Sequence, residues 1–147
     1  MKHHLILFFA LLFLACGGEK RPADPAQQQR LATLRAQLRS QLGDEYDQPV
    51  AGANPAQLQR GAKLYSQLCA ACHGQRGTGN GHTGEALVTP PADLTDAEES
   101  HFFSEQARLQ IIRKGIAGSA MVGWQGVLPE GDILAVYLYI RSLIDKN

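Results

Sequence analysis

The chain has 147 residues with 14 basic and 14 acidic side chains and no formal net charge, a length for one domain and little besides. No clustered basic excess marks it for nucleic acid. Aromatic residues make up only 7%, so rings alone do not build its core, and a small domain of this kind leans on a metal, a cofactor or a disulfide.

Met1-Lys2-His3-His4 and the apolar run at residues 5–15 have the form of a basic n-region and the h-region of a signal peptide. The run is too short to cross a bilayer, which takes about 20 apolar residues, and no later segment approaches that length. It ends on Ala15-Cys16-Gly17-Gly18, which resembles a bacterial lipoprotein signal, with Phe13 where that family usually has Leu. The resemblance implies a signal peptide at residues 1–15, lipidation of Cys16, and through Gly17 a destination in the outer rather than the inner membrane. An ordinary signal peptide beside a stray cysteine is the alternative. With Cys16 on lipid, no thiol of the remaining pair stands unexplained in an oxidising compartment.

Residues 16–25 are polar with Gly and Pro, the composition of a flexible spacer. Residues 26–54 form an amphipathic helix and a connector. Within the helix, over residues 27–44, Leu31, Leu34, Leu38 and Leu42 share one face, flanked by Arg30, Arg35 and Arg39, and Gly43 stops it. Such a stripe suits a partner-docking helix, a helix on an anionic membrane surface, or a helix packed on the domain behind it.

The folded domain is expected at residues 55–147. Asn54-Pro55 opens a helix that runs to Leu68. Then comes Cys69-Ala70-Ala71-Cys72-His73-Gly74, followed by glycine-rich, irregular chain to Asp93. A second helix is expected over residues 104–114, stopped by Gly115, and a third from about Pro129 to the end. No alternating strand pattern or internal repeat interrupts them, so the fold class is all-α.

A cysteine pair at this spacing serves as a redox dithiol, half a zinc site, or a haem attachment point. The first expects strands and a βαβ context. The second needs four ligands, for which Cys69, Cys72, His73 and His82 are the available set. The third uses every member of the motif: two thiols for the two haem vinyl groups, and the adjoining His73 for the iron. It also asks for a ligand on the other iron face, and Met121, in a glycine-flanked loop, is the single methionine left after signal removal.

Residues from about 55 to 145 resemble a class I cytochrome c of the short bacterial mono-haem kind. The segment Leu64 to Gly81 resembles the family's haem-binding segment, Pro90 to Asp96 its loop along the haem edge, Ile112 to Met121 its approach to the distal methionine, and Tyr139 to Leu143 its final helix. The resemblance implies helices wrapped around one covalently attached haem c, with Gly61 and Tyr65 of the first helix crossing the last near Tyr139. It implies thioethers at Cys69 and Cys72, His73 and Met121 as axial ligands, and Leu87, Leu94 and Trp124 as pocket walls. Two positions depart from the family: Val122 stands where Pro often follows the distal Met, and Gly84-Glu85 where a Gly-Pro pair is usual. The function implied is a membrane-tethered one-electron carrier, not an enzyme, on the periplasmic side of a bacterial membrane, meeting membrane oxidoreductase complexes as redox partners and taking no small-molecule substrate or nucleic acid. A fixed haem subunit of a larger complex, or a sensor or peroxidase with a displaceable distal ligand, are the alternatives.

Overall fold

A computed structural model describes residues 24–144. The signal peptide, Cys16 and the spacer as far as residue 23 lie outside the described residues, as do residues 145–147. Six helices occupy the described part: α1 (Pro25–Leu42), α2 (Pro55–Leu68), α3 (Ala70–His73), α4 (Ala97–His101), α5 (Glu105–Lys114) and α6 (Glu130–Ile144). Among the described residues there is no strand, only two isolated bridges, Gly115 with Val122 and Gln125 with Leu128.

Local chemistry sets the ends. Asn54 and Gln57 form a reciprocal capping box at the start of α2, each side chain bonding the other's backbone N–H. Ser104 caps α5 through Ala107 N–H. Gly43 ends α1 at φ +53°, a conformation that costs a glycine little.

The core is the crossing of α2 and α6. Leu64 of α2 meets Ile133, Val136, Tyr137 and Leu138 of α6, with Leu109 and Ile112 of α5 closing the cluster. At the crossing point Gly61 lies directly on the Ala135 carbonyl and Tyr139 Cβ, so that any side chain there would collide with backbone. The Tyr65 and Tyr139 rings stand 5.3 Å apart, tilted by 54°. A second cluster joins α1 to the other side of α5: Leu34, Leu38 and Leu42 pack on Tyr46, Phe103, Ala107 and Ile111. The leucine stripe therefore covers the domain's own helix. The connector between α1 and α2 is clamped as well. Arg141 donates to the Val50 and Ala51 carbonyls at 2.9 and 3.0 Å and to Glu105, whose carboxylate accepts from Val50 N–H at 2.7 Å.

Candidate haem-binding site

Cys69 is both the end of α2 and the start of α3, donating to the Tyr65 carbonyl while its own carbonyl accepts from Cys72 and His73 N–H at 3.1 and 2.9 Å. One helical turn places positions i, i+3 and i+4 on the same side, so Cys69, Cys72 and His73 share a face and Ala70 and Ala71 the opposite one. The glycine-rich loop folds back over this turn. Gly74, Thr83, Gly81 and Gly79 N–H donate in order to the carbonyls of Ala70, Ala71, Cys72 and His73, all at 2.9 to 3.1 Å. Gly81 and Gly84 press so closely on the carbonyls of Ala71 and Cys72 that a Cβ at either would overlap them. The buried Tyr65 hydroxyl donates to the Gly74 carbonyl at 2.7 Å. The turn carrying the two thiols and the imidazole is thus fixed from both ends.

Both thiols are unbonded and half-buried. Burial, and then the neighbouring Cys72, push the Cys69 thiol up to about 11. A redox dithiol works through a lowered thiol pKa, so this environment is wrong for that chemistry. Nor do the described residues contain any group of three or more His, Cys, Asp or Glu placed to hold a metal ion, and a structural zinc site takes four ligands. His73 Nδ1 faces the Ala92 carbonyl at 3.4 Å. Burial holds its imidazolium below the usual histidine range, with that carbonyl pulling the other way. A carbonyl opposite Nδ1 selects the Nδ1–H tautomer and leaves Nε2 with its lone pair, which is what an iron ligand needs. Two free cysteines and an oriented imidazole on one face form the donor set that a covalent haem requires, and the residues present fit the group.

Met121 lies apart from this turn, in a loop built on the carboxyl end of α5. Gly115 N–H, Trp124 N–H and Gln125 N–H donate to the carbonyls of Ile111, Ile112 and Arg113 at 2.7, 3.0 and 3.0 Å, using groups that a helix end leaves unsatisfied. Met121 itself is pinned by its carbonyl to Ile116 N–H at 2.9 Å and by its N–H to Ser119 Oγ at 3.1 Å. The side chain is half-buried and Val122 after it is exposed. Trp124 packs on the main core together with Cys69. Leu87 and Leu94 are half-buried and belong to neither cluster, and Leu94 N–H is tied to the Gly77 carbonyl at 2.7 Å. His82 and His101 are exposed.

Sequence reasoning missed the Ala92 carbonyl, which reaches His73 from 19 residues away, and the Tyr65 hydroxyl bond. The run Gly77, Gly79, Gly81, Gly84 was the visible sign that the loop returns against backbone.

Residues 56–140 match the family model described as Cytochrome C oxidase, cbb3-type, subunit III. A protein named Cbb3-type cytochrome c oxidase subunit FixP, from Bradyrhizobium diazoefficiens, is 34% identical over 84 residues, covering 57% of this chain and 27% of that protein. The protein of the same name from Bradyrhizobium sp. (strain ORS 278) is 34% identical over 83 residues, covering 56% and 26%. The chain thus spans about a quarter of the length of these relatives. Among solved structures, the Kuenenia stuttgartiensis reducing HAO-like protein complex Kustc0457/Kustc0458 has a chain of similar fold, with a TM-score of 0.54 at 22% identity, covering 70% of this chain and 54% of that one.

Proposed function

We propose, for a chain that belongs to the cytochrome c oxidase, cbb3-type, subunit III family and so carries covalent haem c, that it is a membrane-tethered one-electron carrier whose haem is held by Cys69, Cys72, His73 and Met121. An electron-transfer role with the class I cytochrome c fold follows from the family; the ligand set, the tether and the carrier's mobility are the proposal. The observation that carries it is the single fixed turn that presents two free cysteines and an oriented imidazole on one face.

Cys69 and Cys72 provide the thioether sulfurs, and the backbone bonds around them fix the separation of those sulfurs. His73 offers Nε2 while the Ala92 carbonyl holds its other ring proton and raises its basicity. The Met121 thioether is presented by a loop whose bonds all run to itself or to the end of α5. Half-buried Leu87, Leu94 and Trp124 exclude water and lower the local dielectric. A haem ligated by histidine and methionine supplies one-electron exchange at a potential above that of a bis-histidine haem. Were His73 and Met121 both to hold the iron, the chain would leave no site on it for a substrate.

The tether is the lipid on Cys16, on the periplasmic face of a bacterial membrane, with Gly17 pointing to the outer one; no helix among the described residues is long and apolar enough to cross a membrane. The partners are membrane oxidoreductase complexes. The relatives are named as oxidase subunits, which supports a second reading as a fixed subunit. Against a version of it held by the leucine helix stands one observation: Leu34, Leu38 and Leu42 are already used on α5.

Optical spectra of the matured protein test the proposal, in both oxidation states and with carbon monoxide. The expected result is a ferric sulfur-to-iron charge-transfer band that Met121→Ala abolishes, and no carbon monoxide binding to the wild type. Ready binding of carbon monoxide, or no sulfur band, would overturn the closed-carrier reading in favour of a sensor or peroxidase.

A further inference from the structure

The carbonyl that faces His73 Nδ1 belongs to the peptide unit joining Ala92 to Asp93. The other end of the same unit, the Asp93 N–H, donates to Glu99 Oε2 at 3.0 Å. A trans peptide is planar and its N–H and C=O point in opposite directions, and among the described residues no peptide is cis. Carboxylate, peptide and imidazole therefore form one series of two hydrogen bonds, with Glu99 on the N–H and His73 on the C=O. The short helix α4 is what brings Glu99 there. Asp96 caps it, with Oδ1 accepting from Glu98 and Glu99 N–H at 2.8 and 3.1 Å, and the buried Ser100 donates from Oγ to the Leu94 carbonyl at 3.2 Å. Leu94 N–H is tied in turn to the Gly77 carbonyl at 2.7 Å. Gly79 lies against the preceding residues, where an added Cβ would stand 2.7 Å from the Pro91 oxygen and 3.4 Å from that of Ala92. Asp93 turns its own carboxylate to Thr95, accepting from its N–H and Oγ1 at 2.9 and 2.7 Å. The peptide between these anchors is held on both sides. Among the described residues no lysine or arginine pairs with Glu99, so its carboxylate is spent on that N–H.

A carboxylate on the N–H side favours the peptide resonance form with a negative oxygen, so the C=O becomes a stronger acceptor. Glu99 and Ala92 are exposed, and water could replace Glu99 as an acceptor, but a neutral one; charge is what the side chain adds. At 3.4 Å the His73 contact is long for its kind, so the strength and direction of the acceptor decide how firmly the proton is held. We propose that Glu99 is a positioning residue for His73: through the Ala92–Asp93 peptide its carboxylate orients and polarises the carbonyl that holds the Nδ1 proton, and so strengthens Nε2 as a donor to the iron. Metal-bound histidines often meet a carboxylate directly; here one peptide stands between them. The inference rests on the reading of His73 as an iron ligand. A stronger nitrogen donor stabilises ferric over ferrous iron, so Glu99 holds the reduction potential down.

The haem-loaded full chain is followed by redox titration and by NMR of the reduced, diamagnetic state; if carbon monoxide displaces Met121, the adduct is diamagnetic too and gives the same readout. Glu99→Gln keeps an acceptor for Asp93 N–H and removes only the charge. Neighbouring hydrogen bonds strengthen one another by about 10–30%, which at an exposed site amounts to about twofold in the ferric–ferrous equilibrium, or about 18 mV for one electron. The expected result is a potential higher by that amount and an upfield move of the His73 Nδ1 proton, whose hydrogen bond has weakened, with the circular dichroism unchanged. Glu98→Gln, the same charge change one residue away, acts only through screening solvent and gives less than half the shift, with the His73 proton in place. Glutamine satisfies a merely structural role, so wild-type values in Glu99→Gln would overturn the proposal. Equal shifts in the two variants, or a changed potential with an unmoved His73 proton, would overturn it too, because charge would then act at a distance and not through the peptide. The ring protons of an iron-bound histidine are displaced upfield by the haem ring current. Were those of His73 to lack that displacement, the ligand reading would fall and the inference with it; displaced ring protons that ignore Glu99→Gln would overturn the inference alone.

Discussion

The crossing of α2 and α6 gives the sharpest test of how the fold holds. In Gly61→Ala the new methyl carbon lands 2.7 Å from the Ala135 carbonyl carbon and 2.8 Å from Tyr139 Cβ, and closer still to the Ala135 oxygen. Ordinary contact starts at 3.4 Å. None of these atoms belongs to the free end of a side chain, so rotamer changes give no relief and the helices must part by up to about 1 Å. A gap of that size forfeits a quarter to a half of each dispersion contact it opens, and Leu64, Tyr65, Ile133 and Val136 all line the same interface. Overpacking against rigid neighbours costs about 3 kcal/mol, and the gain in helix propensity on replacing glycine returns about 1 kcal/mol. The net loss is about 2 kcal/mol, or a fall in Tm of about 8–16 °C for a domain of this size. Gly131→Ala is the matched control: the residue sits in the first turn of α6 with nothing within 4 Å of its added methyl, so stability holds or rises slightly. Thermal and denaturant unfolding of the haem-loaded protein, followed by far-ultraviolet circular dichroism, measures both. A Gly61→Ala protein within about 0.5 kcal/mol of wild type, the range of an inconsequential surface change, would refute the reasoning.

Tyr65→Phe removes the buried hydroxyl that bonds Gly74; because that carbonyl also accepts from Gly77 N–H, the loss is held to about 1 kcal/mol, and a denaturation midpoint unchanged from wild type would contradict it. Glu105→Gln removes the charge that Arg141 and Val50 N–H hold. Burial pushes this carboxyl up, but the Val50 N–H and Arg141 outweigh it and keep it below its ordinary value of 4.5. A depressed carboxyl contributes stability above that ordinary value and loses it as pH falls through the folded-state value. The stability difference between wild type and Glu105→Gln is therefore full at pH 7 and closes in the acid range; denaturant midpoints at pH 7 and about pH 3 measure it, and a difference that grows on acidification would be contrary to the expectation.

Much of the architecture was legible because its signals are local. Asn54-Pro55 fixed the start of α2, Ser104 and Gly115 bracketed α5, and the thiol pair with His73 marked the candidate site. The leucine helix was expected over residues 27–44 and runs Pro25–Leu42, an offset produced by Asp24 capping at one end and Gly43 turning at the other. Helix α4 was not foreseen, although Asp96 with Glu98 and Glu99 is a capping pattern; five residues are too few for apolar periodicity to register. The acceptor for His73 was out of reach for a different reason. Gly84-Glu85 was the natural place to look, and the Ala92 carbonyl takes the role only because of how the loop from Gly74 to Asp93 runs in space.

The leucine stripe of α1 shows where one-helix reasoning stops. Its leucines and flanking arginines are equally suited to a membrane surface, a partner or a neighbouring helix, and no property of α1 separates these. The separating fact lies in α5. Ala107 and Ile111 fall on one side of that helix, and Leu109 and Ile112 on the other, nearly opposite at 100° per residue. A helix apolar on two sides needs two covers. Helix α6 supplies one, through Ile133, Val136, Tyr137 and Leu138; α1 supplies the second, with Leu34, Leu38 and Leu42. The arginines then act locally rather than as a cationic face: Arg35 lies over the Phe102 ring at 4.3 Å, and Arg39 over Tyr46 at 4.7 Å while pairing with Asp47. Because the carboxyl end of the same α5 carries the loop of Met121, the helix that meets α1 on one side also positions that loop. The apolar demand of α5, rather than the apolar supply of α1, is what assigns the stripe to the interior.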